Sequence, residues 1–234
     1  DWDTAETVTT FTNVSDGGTY WYLVTADNYA PVADSFTVTV RPKQVTLDHN
    51  ITELSKVYDG TTSINSENTT PTALTIMDGS TVVSVDKISV SDVKAQYTSK
   101  NAGDGNSIQI SATLEAVGEE DLGNYAFQFN GKTVGVGEGG AVTLTITDGV
   151  AITQKPITVT GVTAVGRPYD NTLQVQLSTE KADSKEVLEG DDVTFTAADK
   201  GAMTDVNAGK DKEVAAEANA ITLGGADAGN YRVE

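Results

Sequence analysis

The sequence of 234 residues contains no cysteine, a single histidine (His49) and only five prolines. Without cysteine there is no disulfide, iron–sulfur cluster, thiolate nucleophile or zinc site of the Cys or Cys/His type. A Ser-His-Asp triad would have to use His49, which we interpret as a surface-loop residue because a lone histidine needs partners to act. The sequence therefore predicts no catalytic residue, no cofactor site and no metal site, and we do not expect an enzyme.

Basic residues are also scarce, because 15 Lys and Arg stand against 34 Asp and Glu, for a net charge of -19. Such a chain repels phosphate and lacks a basic stripe, so we expect no binding to nucleic acid. There is no apolar run of membrane-spanning length, so we predict no membrane insertion in this segment. The acidic charge favours a monomer. The first residues do not resemble a signal peptide, and we interpret the chain as a segment of a longer protein.

Short alternating segments dominate the sequence, with clear examples at 35–40, 107–114 and 141–146. Apolar and polar residues alternate there with period two, as half-buried strands require. Helical periodicity is confined to two candidates, at 183–188 and 211–220. Regularly spaced short strands with turn residues between them predict an all-β protein built from β-sandwich modules.

Internal repetition is the strongest feature of the sequence. Four segments recur in the same order about 106 to 112 residues further on, namely KVYDGT (56–61) as RPYDNT (167–172), NAG (101–103) as NAG (207–209), DLGNY (121–125) as DAGNY (227–231), and KQVT (43–46) as KPIT (155–158). We therefore divide the chain into 1–43, the C-terminal part of a preceding module, 44–155, a first module, and 156–234, a second module that ends before its last strand. The linkers at 41–44 and 153–156 are very short, so we expect a semi-rigid rod.

The repeated motifs consist mainly of turn residues. Asp59 precedes Gly60, and Asn171 replaces that glycine in the second copy because asparagine also tolerates a positive φ. We expect the tyrosine of each motif to bury its ring and to bond a backbone group through its hydroxyl, as in the tyrosine corner of immunoglobulin-like domains. Residues 130–140 include five glycines and predict a long hairpin loop.

Taken together, these motifs resemble the YDG/MBG family of immunoglobulin-like repeats, which occur in tandem in large bacterial surface proteins and adhesins. The resemblance covers 44–234 and, more weakly, 1–43. It implies tandem immunoglobulin-like β-sandwich modules in a non-catalytic stalk or spacer that presents another functional domain. It also implies an extracellular location on a bacterial cell surface, either anchored to a Gram-positive cell wall or secreted, with neighbouring repeats as partners.

Two alternative functions remain open: a module that binds a glycan or a host surface protein, and an accessory region of a secreted polysaccharide-degrading enzyme. The glycan-binding alternative rests on three aromatic residues, Tyr20, Trp21 and Tyr22, because exposed aromatic rings serve as flat contact surfaces for sugars. In a strand, Tyr20 and Tyr22 share one face and Trp21 takes the other. We predict that Trp21 lies in the core and that Tyr20 and Tyr22 are exposed and contact a ligand. The loop at 130–140 is a further candidate.

Two acidic clusters, two lysines and one sheet edge are further candidates for a functional role. We interpret the acidic clusters at 119–121 and 189–192 as solvated loops, with a Ca²⁺ site as the alternative. Lys43 and Lys155 begin equivalent strands and are formal candidates for isopeptide cross-links, which would need a desolvated amine. An open edge on the second module would be able to take up a strand from another chain.

Overall fold

The computed structural model describes residues 10–64, 72–79, 81–82, 87–103, 105–197, 200–216 and 220–234. Its regular elements are β-strands and four short 3-10 turns, so the all-β prediction is confirmed. The 3-10 turns are Val14–Asp16, Leu122–Asn124, Glu138–Gly140 and Ala228–Asn230.

The helix predicted at 183–188 is wrong, because this segment forms turns. Asp183 accepts a bond from the amide of Ser184, whose hydroxyl bonds to Glu186, and such local bonds compete with helix formation. The other helix candidate, 211–220, contains a two-residue strand at Val214–Ala215. Its residues 217–219 lie outside the described part of the chain.

The strands are numbered in chain order. The segment before the first repeat contains β1 (Gly18–Val24) and β2 (Val32–Val38). The first repeat begins at β3 and contains β3 (Lys43–His49), β4 (Ser55–Val57), β5 (Leu74–Asp78), β6 (Thr81–Val82), β7 (Ile88–Tyr97), β8 (Ile108–Ala116), β9 (Tyr125–Phe129), β10 (Lys132–Thr133), β11 (Ala141–Ile146) and β12 (Ala151–Thr153). The second contains β13 (Lys155–Ile157), β14 (Thr163–Ala164), β15 (Gln174–Val175), β16 (Leu177–Ser178), β17 (Thr194–Ala197), β18 (Gly201–Met203), β19 (Val214–Ala215), β20 (Ile221–Gly224) and β21 (Tyr231–Val233).

The chain divides into two compact units, of which unit 1 comprises Asp1–Thr52, Thr69–Ala95 and Gln109–Thr145. It contains the antiparallel hairpin β1–β2, a five-stranded sheet in the order β10-β9-β3-β5-β6, and a three-stranded sheet in the order β11-β8-β7. Strand β3 runs antiparallel to β5 and parallel to β9. The strands predicted at 107–114 and 141–146 are confirmed as β8 and β11, and most of 35–40 lies in β2.

The core of unit 1 follows the predicted alternation. Through most of β3, β8, β9 and β11, buried side chains alternate with exposed or half-buried ones, as expected for sheets with one apolar face. These buried residues are mainly aliphatic and include Val45, Leu47, Ile110, Leu114, Phe127, Phe129, Val142 and Leu144.

The long hairpin loop predicted at 130–140 is wrong. Asn130 and Gly131, with φ values of 48° and 72°, form a two-residue turn between β9 and β10, and Lys132 pairs directly with Phe129. Asn-Gly favours this tight hairpin because both residues tolerate positive φ. Further on, a Cβ at Gly140 would lie 1.9 Å from the carbonyl oxygen of Leu114, so this glycine permits a close backbone approach rather than a free loop.

Unit 2 comprises Glu53–Asn68, Gln96–Ile108 and Ile146–Glu234. Its strands are short and form the parallel pairs β4–β12 and β13–β21, the antiparallel pairs β14–β16 and β17–β20, and the sheet β15-β18-β19. The buried residues of this unit include tyrosines as well as aliphatic side chains: Tyr58, Tyr97, Tyr231, Ile152, Ile157, Val175 and Leu177. We call residues 58–60 and their equivalents 169–171 the YDG turns of the first and second repeats. Unit 2 therefore contains the YDG turn of the first repeat together with the whole of 156–234.

Candidate functional site

The YDG turn of the first repeat is held by its own aspartate. The carboxylate of Asp59 accepts bonds from the amide and from the hydroxyl of Thr61, both at 2.9 Å. Gly60, between them, has a φ of 75°, which glycine adopts without strain. An aspartate that bonds the backbone two residues ahead is a common turn device, so the motif sequence accounts for the local fold.

The side chain of Lys56 stabilises this turn through several bonds. Its ammonium lies 2.7 Å from Asp59 Oδ1 and donates to the carbonyl oxygens of Thr61 and Ser63 at 2.8 and 2.9 Å. The side chain is only 11% exposed, and the charge lies 5.1 Å from the centre of the Tyr97 ring, within cation–π range. Burial alone would raise the pKa of Asp59, but the bonds from Lys56 and Thr61 lower it below its usual 3.8.

The YDG turn of the second repeat has the same internal bonds. Arg167 makes an ion pair with Asp170 and donates to the carbonyl oxygen of Thr172 at 2.6 Å. Asp170 accepts from the amide of Thr172 at 2.9 Å, and bonds from Thr172 and Arg167 lower its pKa. Asn171 has a φ of 59°, so its predicted equivalence to Gly60 is confirmed. The role of Lys56 and Arg167 was missed, although a basic residue precedes Asp by three positions in both copies.

Tyr58 and Tyr231, one from each repeat, meet in the interior of unit 2. They are 1% and 2% exposed, and their rings pack edge to face with centres 5.4 Å apart. Both hydroxyls donate to Asp191 Oδ2, at 2.9 Å from Tyr58 and 2.5 Å from Tyr231. The Tyr231 hydroxyl also accepts from the amide of Leu188 at 3.0 Å. One carboxylate therefore connects the YDG turn of the first repeat to the Gly-Asn-Tyr turn of the second.

This environment keeps both phenols protonated. Burial, followed by the bond to Asp191, raises the pKa of Tyr231 to about 12 and moves that of Tyr58 well above its usual 10. At neutral pH both side chains are therefore hydrogen-bond donors. An arrangement of donors already paired with their acceptor suits a structural contact.

The tyrosine prediction is correct for only part of the set. Tyr58 and Tyr231 are buried as expected, and the Tyr231 hydroxyl bonds a backbone group. Tyr125 is half-buried and donates to Glu120 at 3.2 Å. Tyr169 is 62% exposed, and its hydroxyl bonds to the nearby Asn171 at 3.1 Å, so its predicted burial is wrong.

Asn230, just before Tyr231, makes a second link between the repeats. Its side chain is buried, its Oδ1 accepts from the amide of Ala102 at 2.8 Å, and its Nδ2 lies 3.4 Å from Asn101 Oδ1. The side-chain amide of Gln154 donates to the carbonyl oxygen of Gly229 at 3.0 Å. The Gly-Asn-Tyr turn of the second repeat is therefore attached to the Asn-Ala-Gly turn of the first.

Asn124, the equivalent residue of the first repeat, makes the same kind of link within unit 1. Its Oδ1 accepts from the amide of Val14 at 2.8 Å, and its Nδ2 donates to Asn13 Oδ1 at 2.8 Å. Asn13 and Val14 thus occupy the place that Asn101 and Ala102 occupy in unit 2. The asparagine of the Asp-x-x-Asn-Tyr motif joins its repeat to the preceding segment in both copies.

The prediction for the aromatic residues of β1 is wrong for Trp21, correct for the exposure of Tyr22 and only partly correct for Tyr20. Trp21 is 76% exposed, so the expectation of a core tryptophan is wrong. Tyr20 is half-buried, because Phe11 and Phe36 pack against its ring, with ring centres 4.7 and 5.8 Å from that of Tyr20. Tyr22 is exposed, as expected. Ligand contact by Tyr20 and Tyr22 stays a prediction.

The remaining candidates are the two lysines, the two acidic clusters and the single histidine. Lys43 pairs with Asp78 and is 56% exposed, which is not the desolvated environment that an isopeptide bond requires. Lys155 is half-buried in β13. The interpretation of 189–192 as a solvated loop is wrong, because Asp191 accepts from two buried phenols and Asp192 accepts from the amide of Ala226. In the cluster at 119–121, Glu120 pairs with Lys87. His49 ends β3, where its Nδ1 accepts from the amide of Ile51.

The described residues contain no group of three or more His, Asp or Glu side chains placed to hold a metal ion. They also contain no helix that combines the length and apolar composition needed to cross a bilayer.

Repeated turns linked by the same asparagine define a tandem-repeat β protein. The YDG domain family matches residues 41–134 and 153–234, which is more than half of the chain, and the chain therefore belongs to that family. No curated protein and no solved structure matches it.

Proposed function

We propose that this chain is a non-catalytic spacer of a bacterial cell-surface protein, built from immunoglobulin-like YDG repeats of the MBG type, and that it presents another functional domain. The proposal rests on a contact that both repeats share, which we call the joint: the side-chain bonds of Asn124 to Asn13 and Val14, and of Asn230 to Asn101 and Ala102. Asn124 and Asn230 each fasten their repeat to the segment before it through paired side-chain bonds. A spacer needs joints that resist bending and pulling, and breaking such partly buried bonds leaves unsatisfied groups at a cost of about 1–3 kcal/mol each.

The charge of the chain supports the same role. A net charge of -19 keeps neighbouring copies apart at a crowded surface, and it leaves exposed sheet edges less prone to pair. The side chains of Asn230, Tyr58 and Tyr231 already have partners, so these contacts need no ligand to be complete. These features favour a structural function over one that requires binding.

The experiment compares the full chain with Asn230→Ala and with Thr222→Ala, which removes an exposed side chain from β20 as a matched control. Hydrogen exchange reports the Ala102 amide, and single-molecule stretching reports the force that unfolds the chain. We expect Asn230→Ala to speed exchange at Ala102 at least tenfold and to lower the unfolding force, with Thr222→Ala unchanged. Equal behaviour of the two variants would remove the support for a mechanical joint.

A second candidate, binding of a glycan or a host protein, is favoured by the exposure of Trp21. Its ring lies on the same strand face as Leu23, which is 63% exposed, and exposed aromatic rings offer flat apolar contact surfaces. A glycan and mucin array would test the full chain against Trp21→Ala and Tyr22→Ala, with Tyr29→Ala as an exposed aromatic control. Saturable binding lost only in the first two variants would replace the spacer proposal. Absence of binding favours the spacer.

A further inference from the structure

The second repeat exposes the surface that the first repeat buries in its joint. Tyr169, the equivalent of Tyr58, is 62% exposed where Tyr58 is 1% exposed. Asn207, Ala208 and Gly209, the equivalents of 101–103, are all exposed. In the first repeat these groups contact Asn230 and Tyr231.

The exposed surface has the same backbone framework as the buried one. The amide of Asn207 donates to the side chain of Asp205, as that of Asn101 donates to Ser99. The amide of Met203 donates to the carbonyl oxygen of Leu173 at 2.8 Å, and the amide of Tyr97 donates to Thr62 in the same way at 2.8 Å. Both sides of the surface, the YDG turn and the Asn-Ala-Gly turn, are thus formed in the second repeat.

A cleft of about 430 Å³ separates these two turns in the second repeat. It is lined by Arg167, Tyr169, Val206, Asn207 and Ala208, among other residues of unit 2. In the first repeat, the Gly-Asn-Tyr turn of the next repeat lies against both of the equivalent turns. The first repeat therefore shows that a surface of this kind binds the Gly-Asn-Tyr turn of the following repeat.

We infer that the surface formed by Tyr169, Asn207 and Ala208 is a docking site for the Asp-x-x-Asn-Tyr turn of a further YDG repeat. The asparagine of that turn accepts from the amide of Ala208 and donates to Asn207, as Asn230 does at Ala102 and Asn101. Its tyrosine packs edge to face on Tyr169, and an acid equivalent to Asp191 accepts from both phenols. This inference rests on the proposed structural role of the repeats.

The test extends the full chain with a second copy of residues 129–234 placed directly after Glu234. The Asp-x-x-Asn-Tyr motifs at 121 and 227 are 106 residues apart, so Glu234 corresponds to position 128. Copied residues 129–155 then continue the second repeat in register, and copied 156–234 supply a third. We expect exchange at the Ala208 amide to slow at least tenfold, and nitration of Tyr169 by tetranitromethane to fall at least threefold, relative to the original chain.

The control carries Asn230→Ala in the appended copy alone, which should restore fast exchange at Ala208. Unchanged exchange and nitration in a folded extension would overturn the inference, and so would an extension that fails to fold in this register. The Ala102 amide separates the two proposals. If Ala102 is protected and Ala208 is not, the docking site is wrong and the joint stands, whereas fast exchange at Ala102 removes the proposed function itself. Protection of Tyr169 from nitration by a glycan, but not by the appended repeat, would also overturn the inferred docking site.

Discussion

The two YDG turns share their internal bonds but differ in what lies against their tyrosines. In both, a basic side chain, an aspartate and a threonine hold the turn, and the residue after the aspartate has a positive φ. Tyr58 is nevertheless buried against Tyr231, whereas Tyr169 is exposed. The turn is therefore a local structure that forms without its neighbour, and the tyrosine is the part of the motif that meets another repeat.

Removing each tyrosine gives the largest expected contrast between the turns. Tyr58→Ala empties a fully buried site and breaks the bond to Asp191, so we expect it to lower the free energy of unfolding by about 3–5 kcal/mol. Tyr169→Ala removes an exposed ring and should cost less than about 0.5 kcal/mol. Urea denaturation of both variants measures the difference. Equal losses would show that the tyrosine stabilises the turn itself.

Asp191 should be the next most costly position, because two buried phenols share its carboxylate. Asp191→Ala leaves both hydroxyls without their acceptor, at about 1–3 kcal/mol for each unsatisfied group. Glu180→Ala, on an exposed turn, is the control. Urea denaturation should show a clear loss for Asp191→Ala only. A loss no larger than that of the control would mean that the phenols find other partners.

Exchanging the residues with positive φ sharpens the comparison of the turns. Gly60→Ala should cost about 1–2 kcal/mol, because alanine is strained in the left-handed region. Gly60→Asn should cost less, since asparagine adopts this conformation at position 171, although both variants place a Cβ 3.1 Å from Leu188 Cδ1. Asn171→Gly should leave stability almost unchanged. Thermal unfolding of the three variants gives the ranking, and Gly60→Asn at or above the cost of Gly60→Ala would contradict it.

Acid should weaken both turns, with the smallest effect of the series. The folded-state pKa values of Asp59 and Asp170 lie below the usual 3.8, so the carboxylates stabilise the fold fully above that value. This contribution is lost as the pH falls through the lowered pKa values. Unfolding midpoints measured from pH 7 to pH 2 should fall less steeply for Asp59→Asn than for the original chain. Parallel curves would contradict the assignment.

Structural features that are determined by residues close together in the sequence were predictable. The alternation of β8 and β11 and the equivalence of Gly60 and Asn171 follow from backbone preferences that each segment carries itself. The resemblance in the repeated motifs correctly indicated the YDG family, and the MBG type stays a proposal. The hairpin at Asn130 and Gly131 was also predictable, because Asn-Gly is a strong two-residue turn signal, although the five glycines of 130–140 indicated a longer loop.

Features that depend on distant contacts were not predictable. Alternation placed Trp21 and Tyr20 on opposite faces of β1, but which face is covered depends on Phe11 and Phe36. In the same way, Tyr58 and Tyr169 have similar local sequences and opposite exposure. Asp191 lies in an acidic cluster that resembles a solvated loop, and only the fold brings two phenols to it.

The parallel pairing of β13 with β21 has a consequence for synthesis on the ribosome. The first strand of the second repeat pairs with residues 231–233, and β3 pairs with β9 in the same way, so the first strand of each repeat gains this partner only after its Gly-Asn-Tyr segment has been made. Pairings between such distant segments form slowly, because a long loop must be closed first. The segment that pairs with the first strand also carries the asparagine that attaches the repeat to the segment before it. Pairing of the first strand and attachment of the repeat therefore become possible at the same stage of translation.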